Sequence, residues 1–292
     1  MRPRILTHRG LDPSQKNYFV ESSREVFEDQ LARGFGLEFD IRKTKDGGLA
    51  IIHDDSLRRI SKGSDTRKIG EIPVDELLAM EFDGCHLTDL KTLLAAIRKR
   101  QTGDALSAIH LKHATQEPET LDLILEVLKD ADPSRFIIFD VIPETAHYLL
   151  KRNPALALAP SVSHPYDIQR YGAATGNTLY PIEQIVPLRN IFSWVWLDEW
   201  DRSAMNGGTK SLYREETFDV LRRNGFSIAV ISPELHASSP GLLGGEAHPD
   251  ARDRSSLENA IKNILGLKPD IICTDYPDMV RGFRDGIFTP PQ

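Results

Sequence analysis

Two acidic residues interrupt an apolar segment near the N-terminus of the 292-residue chain. The segment reads GLEFDI and places Glu38 and Asp40 among Leu37, Phe39 and Ile41. Side chains of a β-strand alternate between its faces, so the two carboxylates share one face and the apolar residues share the other. Burying two unpaired carboxylates is costly unless a cation compensates them. The pattern predicts that Glu38 and Asp40 bind a hard cation such as Mg²⁺ or Ca²⁺, with a salt bridge to arginine or lysine as the alternative.

A second polar pair has the same spacing in LSAIHLK, residues 106–112. His110 and Lys112 fall on one face of this predicted strand, and Ile109 and Leu111 fall on the other. A strand histidine can be a metal ligand or a hydrogen-bonded core residue. The spacing leaves both interpretations of His110 open.

Two histidines end predicted strands. His8 is followed by Arg9 at the end of the first strand, and His53 ends the sequence LAIIH. A histidine pair, one acting as base and one as acid, suits in-line cleavage of a phosphodiester. Arginine and lysine can hold the non-bridging oxygens. Each histidine alone could be structural, but together they indicate a site for an anionic phosphoester.

Short apolar segments alternate with helical patterns along the whole chain. The predicted strands are 4–7, 36–41, 106–112, 136–140, 155–161, 191–197, 226–231 and 269–274. The predicted helices are 22–33, 91–100, 117–130, 143–151, 210–224 and 255–265. This alternation is typical of βαβ units, and eight strands favour an α/β fold of the (β/α)8 TIM-barrel type with site residues at the carboxyl ends of the strands. An open doubly wound sheet is the alternative, although the chain has no Rossmann fingerprint.

The domain organisation is expected to be simple. We expect residues 1–292 to form one barrel domain, with 54–90 as a small insertion of little regular structure after the second strand. Residues 236–254 are rich in serine, proline, glycine and histidine and predict a long loop or lid.

Composition narrows the classes of partner. The net charge of −7 argues against a non-specific nucleic-acid or anionic-membrane binder. Cys85 and Cys273 have no motif spacing, which fits a reducing compartment. We find neither an apolar region typical of a signal peptide nor a run long enough to span a membrane, and therefore expect a cytoplasmic protein without membrane insertion. The site for an anionic phosphoester predicts a small-molecule partner. The sequence leaves the oligomeric state open.

Three motifs resemble the glycerophosphodiester phosphodiesterase family. They are HRG at 8–10, LEFDIRKTKDGGLAIIHDDSLRR at 37–59 and PDIICTDYPD at 269–278. The family pattern runs HRG, E-x-D, a turn with K-D-G, then HD followed by leucine and arginine. The block 37–59 is highly specific, whereas HRG alone would be weak.

The resemblance implies a TIM barrel that uses one divalent cation, Mg²⁺ or Ca²⁺ in the family, to hydrolyse a glycerophosphodiester to an alcohol and a phosphomonoester. His8 and His53 would be the acid–base pair, and Arg9 and Lys112 would bind phosphate. In related enzymes a neighbouring hydroxyl of the substrate can attack phosphorus, so a phospholyase that forms a cyclic phosphate is an alternative. A barrel that binds a phosphodiester or phosphosugar without turnover is another.

Three departures from the family pattern concern the metal and the pocket. The family has a third metal carboxylate in E-x-K, where this chain has His110, so His110 would complete the set of Glu38 and Asp40. An imidazole ligand tilts the preference toward Mn²⁺ or Zn²⁺. The family's P-E-N is VES here, which keeps Glu21, and its W-T-x-N is VISPE.

Further residues are candidates for the pocket wall because they lie near predicted strand ends or motif positions. They are Glu21, Asp140, Trp196, Asp198 and Glu234. A helix cap or a surface salt bridge is the alternative for the two aspartates. Core packing is the alternative for the tryptophan cluster, which consists of Trp194, Trp196 and Trp200.

Overall fold

The computed structural model describes residues 2–199, 202, 204–233 and 253–287. Its strands are β1 (Arg4–His8), β2 (Gly36–Lys43), β3 (Leu49–Ile51), β4 (Glu81–Phe82), β5 (Cys85–His86), β6 (Thr88–Asp89), β7 (Ser107–His110), β8 (Phe136–Phe139), β9 (Leu158–Ala159), β10 (Ser161–Val162), β11 (Leu179–Tyr180), β12 (Trp194–Leu197), β13 (Ser227–Ile231) and β14 (Ile271–Thr274). Its helices are α1 (Arg24–Ala32), α2 (Val74–Ala79), α3 (Leu90–Arg100), α4 (Pro118–Leu128), α5 (Pro143–Arg152), α6 (Pro165–Tyr171), α7 (Ile182–Ile185), α8 (Glu215–Arg223), α9 (Arg254–Gly266) and α10 (Pro277–Arg284).

The main sheet is parallel and curls into a barrel. Its order is β11-β10-β12-β13-β14-β1-β2-β7-β8-β9. Only Pro160 separates β9 from β10, and the chain through it pairs with β8 on one side and with β12 on the other. The two ends of the sheet therefore meet in one segment, which closes a ring of eight strands. The predicted TIM-barrel fold is confirmed.

Strand alternation separates two apolar layers. The outward residues Leu37, Phe39 and Ile41 of β2 are fully buried against the helices. A smaller cluster, which includes Leu6, Ala108, Phe139, Trp196 and Cys273, fills the barrel interior. The inward positions above this cluster are left to polar side chains near the carboxyl ends of the strands, where TIM barrels carry their active sites.

Residues 54–90 have more regular structure than the sequence suggested. They contain α2 and the antiparallel pair β4–β5, and Ile69, Leu77 and Phe82 belong to a separate apolar cluster. The sequence does not reveal these elements because stretches of two to six residues are too short to display a hydrophobic period.

Other differences concern element boundaries. The predicted helix 210–224 begins only at Glu215, and the sequence reasoning passed over α6, α7 and α10. Residues 236–252 of the predicted lid lie outside the described residues. In the part of the chain that the structure describes, no helix has both the length and the apolar character needed to cross a membrane.

Candidate active site

Three side chains that could bind a metal ion converge at the carboxyl ends of β2 and β7. One donor atom each from Glu38, Asp40 and His110 lies within 4.8 Å of the others. Register explains the convergence, because His110 stands directly opposite Asp40 in the β2–β7 pair. His110 Nδ1 is 2.8 Å from Asp40 Oδ1 and 4.0 Å from Glu38 Oε1.

The surroundings shift the pKa values of Glu38 and Asp40 in opposite directions. Burial, and then the neighbouring charge of Asp40, raises the pKa of Glu38. Burial also acts to raise the pKa of Asp40, but Lys112, His53 and His110 outweigh it and hold that pKa well below its usual range. Asp40 Oδ2 is buried and has no hydrogen bond within the described residues. Such an oxygen, beside a second carboxylate and an imidazole, fits a divalent cation.

Two basic side chains reach the same carboxylates. Lys112 Nζ lies 2.8 Å from Asp40 Oδ1, and Arg9 Nε lies 3.7 Å from Asp40 Oδ2. Burial is the main cause that lowers the pKa of Lys112. Arg9 directly follows the inward residue His8, and its φ of +55° breaks the strand alternation so that both side chains enter the site. Cations at these positions could hold a phosphate group.

His8 is oriented by a buried carboxylate. Its Nδ1 lies 2.9 Å from Oδ1 of Asp275, which is fully buried directly after β14. An Nδ1–H that donates to Asp275 leaves Nε2 of His8 as the atom that can accept or release a proton. His8 also stands in register with Glu38, so the ring is adjacent to the candidate metal ligands.

His53 also has a carboxylate partner. Its Nδ1 lies 2.7 Å from Asp54 Oδ1, while Arg42 donates two hydrogen bonds to the His53 carbonyl oxygen. Burial, and then the charges of Arg9 and Lys112, holds the pKa of His53 well below its usual value. This ring is therefore neutral at pH 7, and it can accept a proton.

An arginine continues the chain of contacts from His53. Arg59 donates to both Asp54 oxygens at 2.7 and 2.9 Å, and to both Glu21 oxygens at 2.7 and 2.8 Å. Glu21 Oε1 lies 3.8 Å from Arg9 Nη1. Glu21, predicted as a pocket residue, thus links the surroundings of His53 to Arg9.

The remaining predicted pocket residues do not all lie beside the candidate metal ligands. Asp140 Oδ2 lies 3.3 Å from His110 Nε2, so Asp140 lies beside the candidate metal ligands. Trp196 is a buried floor residue whose ring stacks on Phe139, with centroids 3.8 Å apart. Asp198 follows β12, four strands from β2 around the ring, where its backbone bonds to Val162 and Ser163. Glu234 lies outside the described residues.

Sequence reasoning assigned no role to Asp54, Asp275 and Arg59. Each was nevertheless visible as part of a motif, since Asp54 and Arg59 belong to HDDSLRR and Asp275 to TDYP. The sequence did not show which residues these side chains contact. Asp275, for example, contacts His8 across 267 positions of the chain.

A family model describes this chain. The model of the glycerophosphoryl diester phosphodiesterase family matches residues 8–170, more than half of the chain and the segment that carries both histidines and all three candidate metal ligands. The chain belongs to this family. A curated glycerophosphodiester phosphodiesterase of Bacillus altitudinis is 42% identical over 57 residues, a match that spans 19% of this chain and only 22% of that protein.

Solved structures of the family share the fold over nearly the whole chain. A candidate glycerophosphodiester phosphodiesterase of Galdieria sulphuraria superposes with a TM-score of 0.69 at 17% identity, covering 97% of this chain and 98% of that one. An Oleispira antarctica phosphodiesterase in complex with the product sn-glycerol-3-phosphate gives 0.66 at 17% identity, with 97% of both chains covered. The Thermotoga maritima glycerophosphodiester phosphodiesterase gives 0.60 at 21% identity, with 97% and 98% covered.

Proposed function

We propose that the protein hydrolyses a glycerophosphodiester to an alcohol and a glycerol phosphate, with His8 and His53 as the acid–base pair and one divalent cation as cofactor. Membership of the family supports the reaction class. The observation that carries the residue roles is that each histidine has a carboxylate on Nδ1, Asp275 at 2.9 Å and Asp54 at 2.7 Å. Two oriented imidazoles beside one group of metal ligands suit a reaction that needs a base and an acid.

His53 is assigned the base. Its lowered pKa keeps the ring neutral, so that Nε2 can take the proton of the oxygen that attacks phosphorus. As the bond between phosphorus and the leaving oxygen breaks, His8 gives a proton from Nε2 to that oxygen. Asp54 and Asp275 hold the two rings in the tautomer that these transfers need.

Arg9 and Lys112 are assigned to the phosphate. Both are buried or nearly so at the candidate metal group, and both already lie against Asp40. Their positive charge would hold the non-bridging oxygens and orient phosphorus between the two histidines.

Glu38, Asp40 and His110 are assigned to the cation. When bound there, a divalent cation supplies positive charge against the charge that grows on the phosphate oxygens. Mg²⁺ or Ca²⁺ suits the carboxylates, whereas the imidazole of His110 favours Mn²⁺ or Zn²⁺. Asp140, Trp196 and Asp198 stay predictions as pocket residues, and the cytoplasmic location stays a prediction.

The products test the proposal. Purified protein is incubated with glycerophosphocholine and glycerophosphoethanolamine in turn, with Mn²⁺ or Mg²⁺, and the products are followed by ³¹P NMR. We expect the diester resonance to give way to that of glycerol phosphate. Accumulation of a cyclic phosphate would show the phospholyase reaction instead of hydrolysis. An unchanged diester in every sample would contradict the proposal.

A further inference from the structure

Asp140 faces the candidate metal group through an unusual backbone conformation. In β8 the side chain of Phe139 points into the barrel, and an extended backbone would send Asp140 outward. Asp140 instead has a φ of +62°, and the next residue, Val141, packs in the outer layer. Two consecutive side chains, Phe139 and Asp140, thus enter the barrel interior. A non-glycine residue in the left-handed region is uncommon, and aspartate tolerates it better than most residues.

The backbone around Asp140 is fixed by Gln116. Gln116 Nε2 donates to the Asp140 carbonyl oxygen at 2.7 Å, and Gln116 Oε1 accepts from Ile142 N at 3.2 Å. Thr178 Oγ1 donates to Asp140 Oδ2 at 3.0 Å. The carboxylate is therefore held on the side of His110 by contacts from two separate segments.

The imidazole of His110 is held equally well. Its ring stacks on Phe139, with centroids 4.5 Å apart and planes 20° apart, and Phe139 in turn stacks on Trp196. This stacking fixes the ring plane, so Nδ1 points to Asp40 and Glu38 and Nε2 points to Asp140 Oδ2 at 3.3 Å. The two nitrogens thus face different partners, the ligand carboxylates on one side and Asp140 on the other.

We propose that Asp140 is a positioning residue of the metal centre, which accepts the Nε2–H of His110 and leaves Nδ1 as the ligand atom. The inference rests on the metal centre of the proposed function. A metal-bound histidine ordinarily donates its other N–H to a carboxylate or carbonyl, which fixes the tautomer and raises the basicity of the ligand nitrogen.

A double-mutant cycle on Mn²⁺ affinity tests this role without substrate. The full-length wild type, Asp140→Gly, His110→Glu and the double variant are titrated with Mn²⁺ by calorimetry. Glycine removes the carboxylate and accepts the left-handed φ without strain. We expect Asp140→Gly to weaken Mn²⁺ binding about 10–100-fold in the wild-type background. In the His110→Glu background, where no imidazole needs orienting, the change should stay within about twofold.

Two further variants and one spectrum complete the test. Asp140→Asn keeps an acceptor oxygen and should recover part of the affinity lost in Asp140→Gly. Asp83→Gly is the matched control, because Asp83 also has a positive φ of +48° but pairs with Lys62 on the surface of the insertion; it should bind Mn²⁺ like the wild type. Pulsed EPR of bound Mn²⁺ should show a nitrogen coupling in the wild type that is lost in His110→Glu.

The outcomes separate this inference from the proposed function. Equal loss of affinity in both backgrounds, no loss in either, or a wild-type Mn²⁺ spectrum without nitrogen coupling overturns the role of Asp140. Failure to cleave glycerophosphodiesters, with the cycle and the spectrum as expected, overturns the proposed reaction and leaves the metal centre standing.

Discussion

His8 and Asp275 lie 267 positions apart in the sequence, and yet Nδ1 of His8 is 2.9 Å from Oδ1 of Asp275 inside the barrel. The contact exists because β1 and β14 are neighbouring parallel strands, with Thr7 paired to Thr274. The residues that follow these two positions, His8 and Asp275, consequently meet at the carboxyl edge of the sheet. The first and last strands of the ring together position one half of the proposed acid–base pair.

Removing either histidine tests the acid–base assignment. We expect His8→Ala and His53→Ala each to lower kcat by at least about 100-fold, the usual contribution of a positioned acid or base. His147→Ala is the control, because His147 is exposed on α5 and its Nδ1 donates to the Pro143 carbonyl oxygen. Steady-state kinetics on a glycerophosphodiester provide the measurement, and near-normal turnover in both variants would refute the assignment.

Asp275→Asn tests orientation rather than proton transfer. The amide cannot hold His8 as the carboxylate does, so we expect kcat to fall by at least about 100-fold while KM changes little. Circular dichroism and the unfolding midpoint control for loss of structure, since Asp275 is fully buried. A rise in KM at constant kcat would instead place Asp275 in substrate binding.

Asp54 gives the fold a pH dependence. Burial acts to raise the pKa of Asp54, but hydrogen bonds from His53 and Arg59 outweigh it and hold the pKa below its usual value. A carboxylate whose pKa is lower in the folded state stabilises that state above its unfolded pKa of about 3.9, and this contribution declines as the pH falls further. We expect Asp54→Asn to lower the free energy of unfolding by about 1 kcal/mol at pH 7.

Urea unfolding of the wild type and Asp54→Asn at several pH values measures this dependence. The difference between the two proteins should be constant from pH 5 to 7 and should shrink below about pH 4. A difference that grows as the pH falls has the wrong sign for this account.

His110→Glu tests the metal preference. Replacing the imidazole with a carboxylate adds a hard oxygen ligand, so affinity for Ca²⁺ and Mg²⁺ should rise relative to affinity for Mn²⁺ and Zn²⁺. Competition titrations of the wild type and the variant give the ratio of dissociation constants directly. An unchanged ratio would remove His110 from the set of ligands.

Strand periodicity predicted the inward side chains of regular strands, but it could not predict Arg9 and Asp140. Glu38 and Asp40 are two residues apart, as are His110 and Lys112. The rule that successive strand residues face opposite sides is enough to place each pair on one face of its predicted strand. Arg9 and Asp140 escape that rule because each has a positive φ, which turns a side chain to the face that its neighbour already occupies. A positive φ at a residue other than glycine has no reliable sequence signal.

The carboxylate partners of His8 and His53 could not be predicted from the sequence for a different reason. Asp54 adjoins His53, but its role depends on Arg59, whose guanidinium also holds Glu21 from a third segment. Such contacts follow from the packing of residues 54–90 against the barrel, where short elements like α2 leave no periodic pattern. The (β/α)8 order was readable because its helices and strands are long enough to alternate visibly.

The most direct test of the central claim is activity after metal removal. The protein is stripped with a chelator, shown by circular dichroism to remain folded, and assayed on a glycerophosphodiester with Mg²⁺, Ca²⁺, Mn²⁺ and Zn²⁺ added back separately. We predict no turnover in the stripped protein and recovery with at least one cation in the wild type, with recovery at least about 100-fold smaller in His53→Ala. Full turnover in the stripped wild type, or no turnover with any of the four cations, would contradict the account.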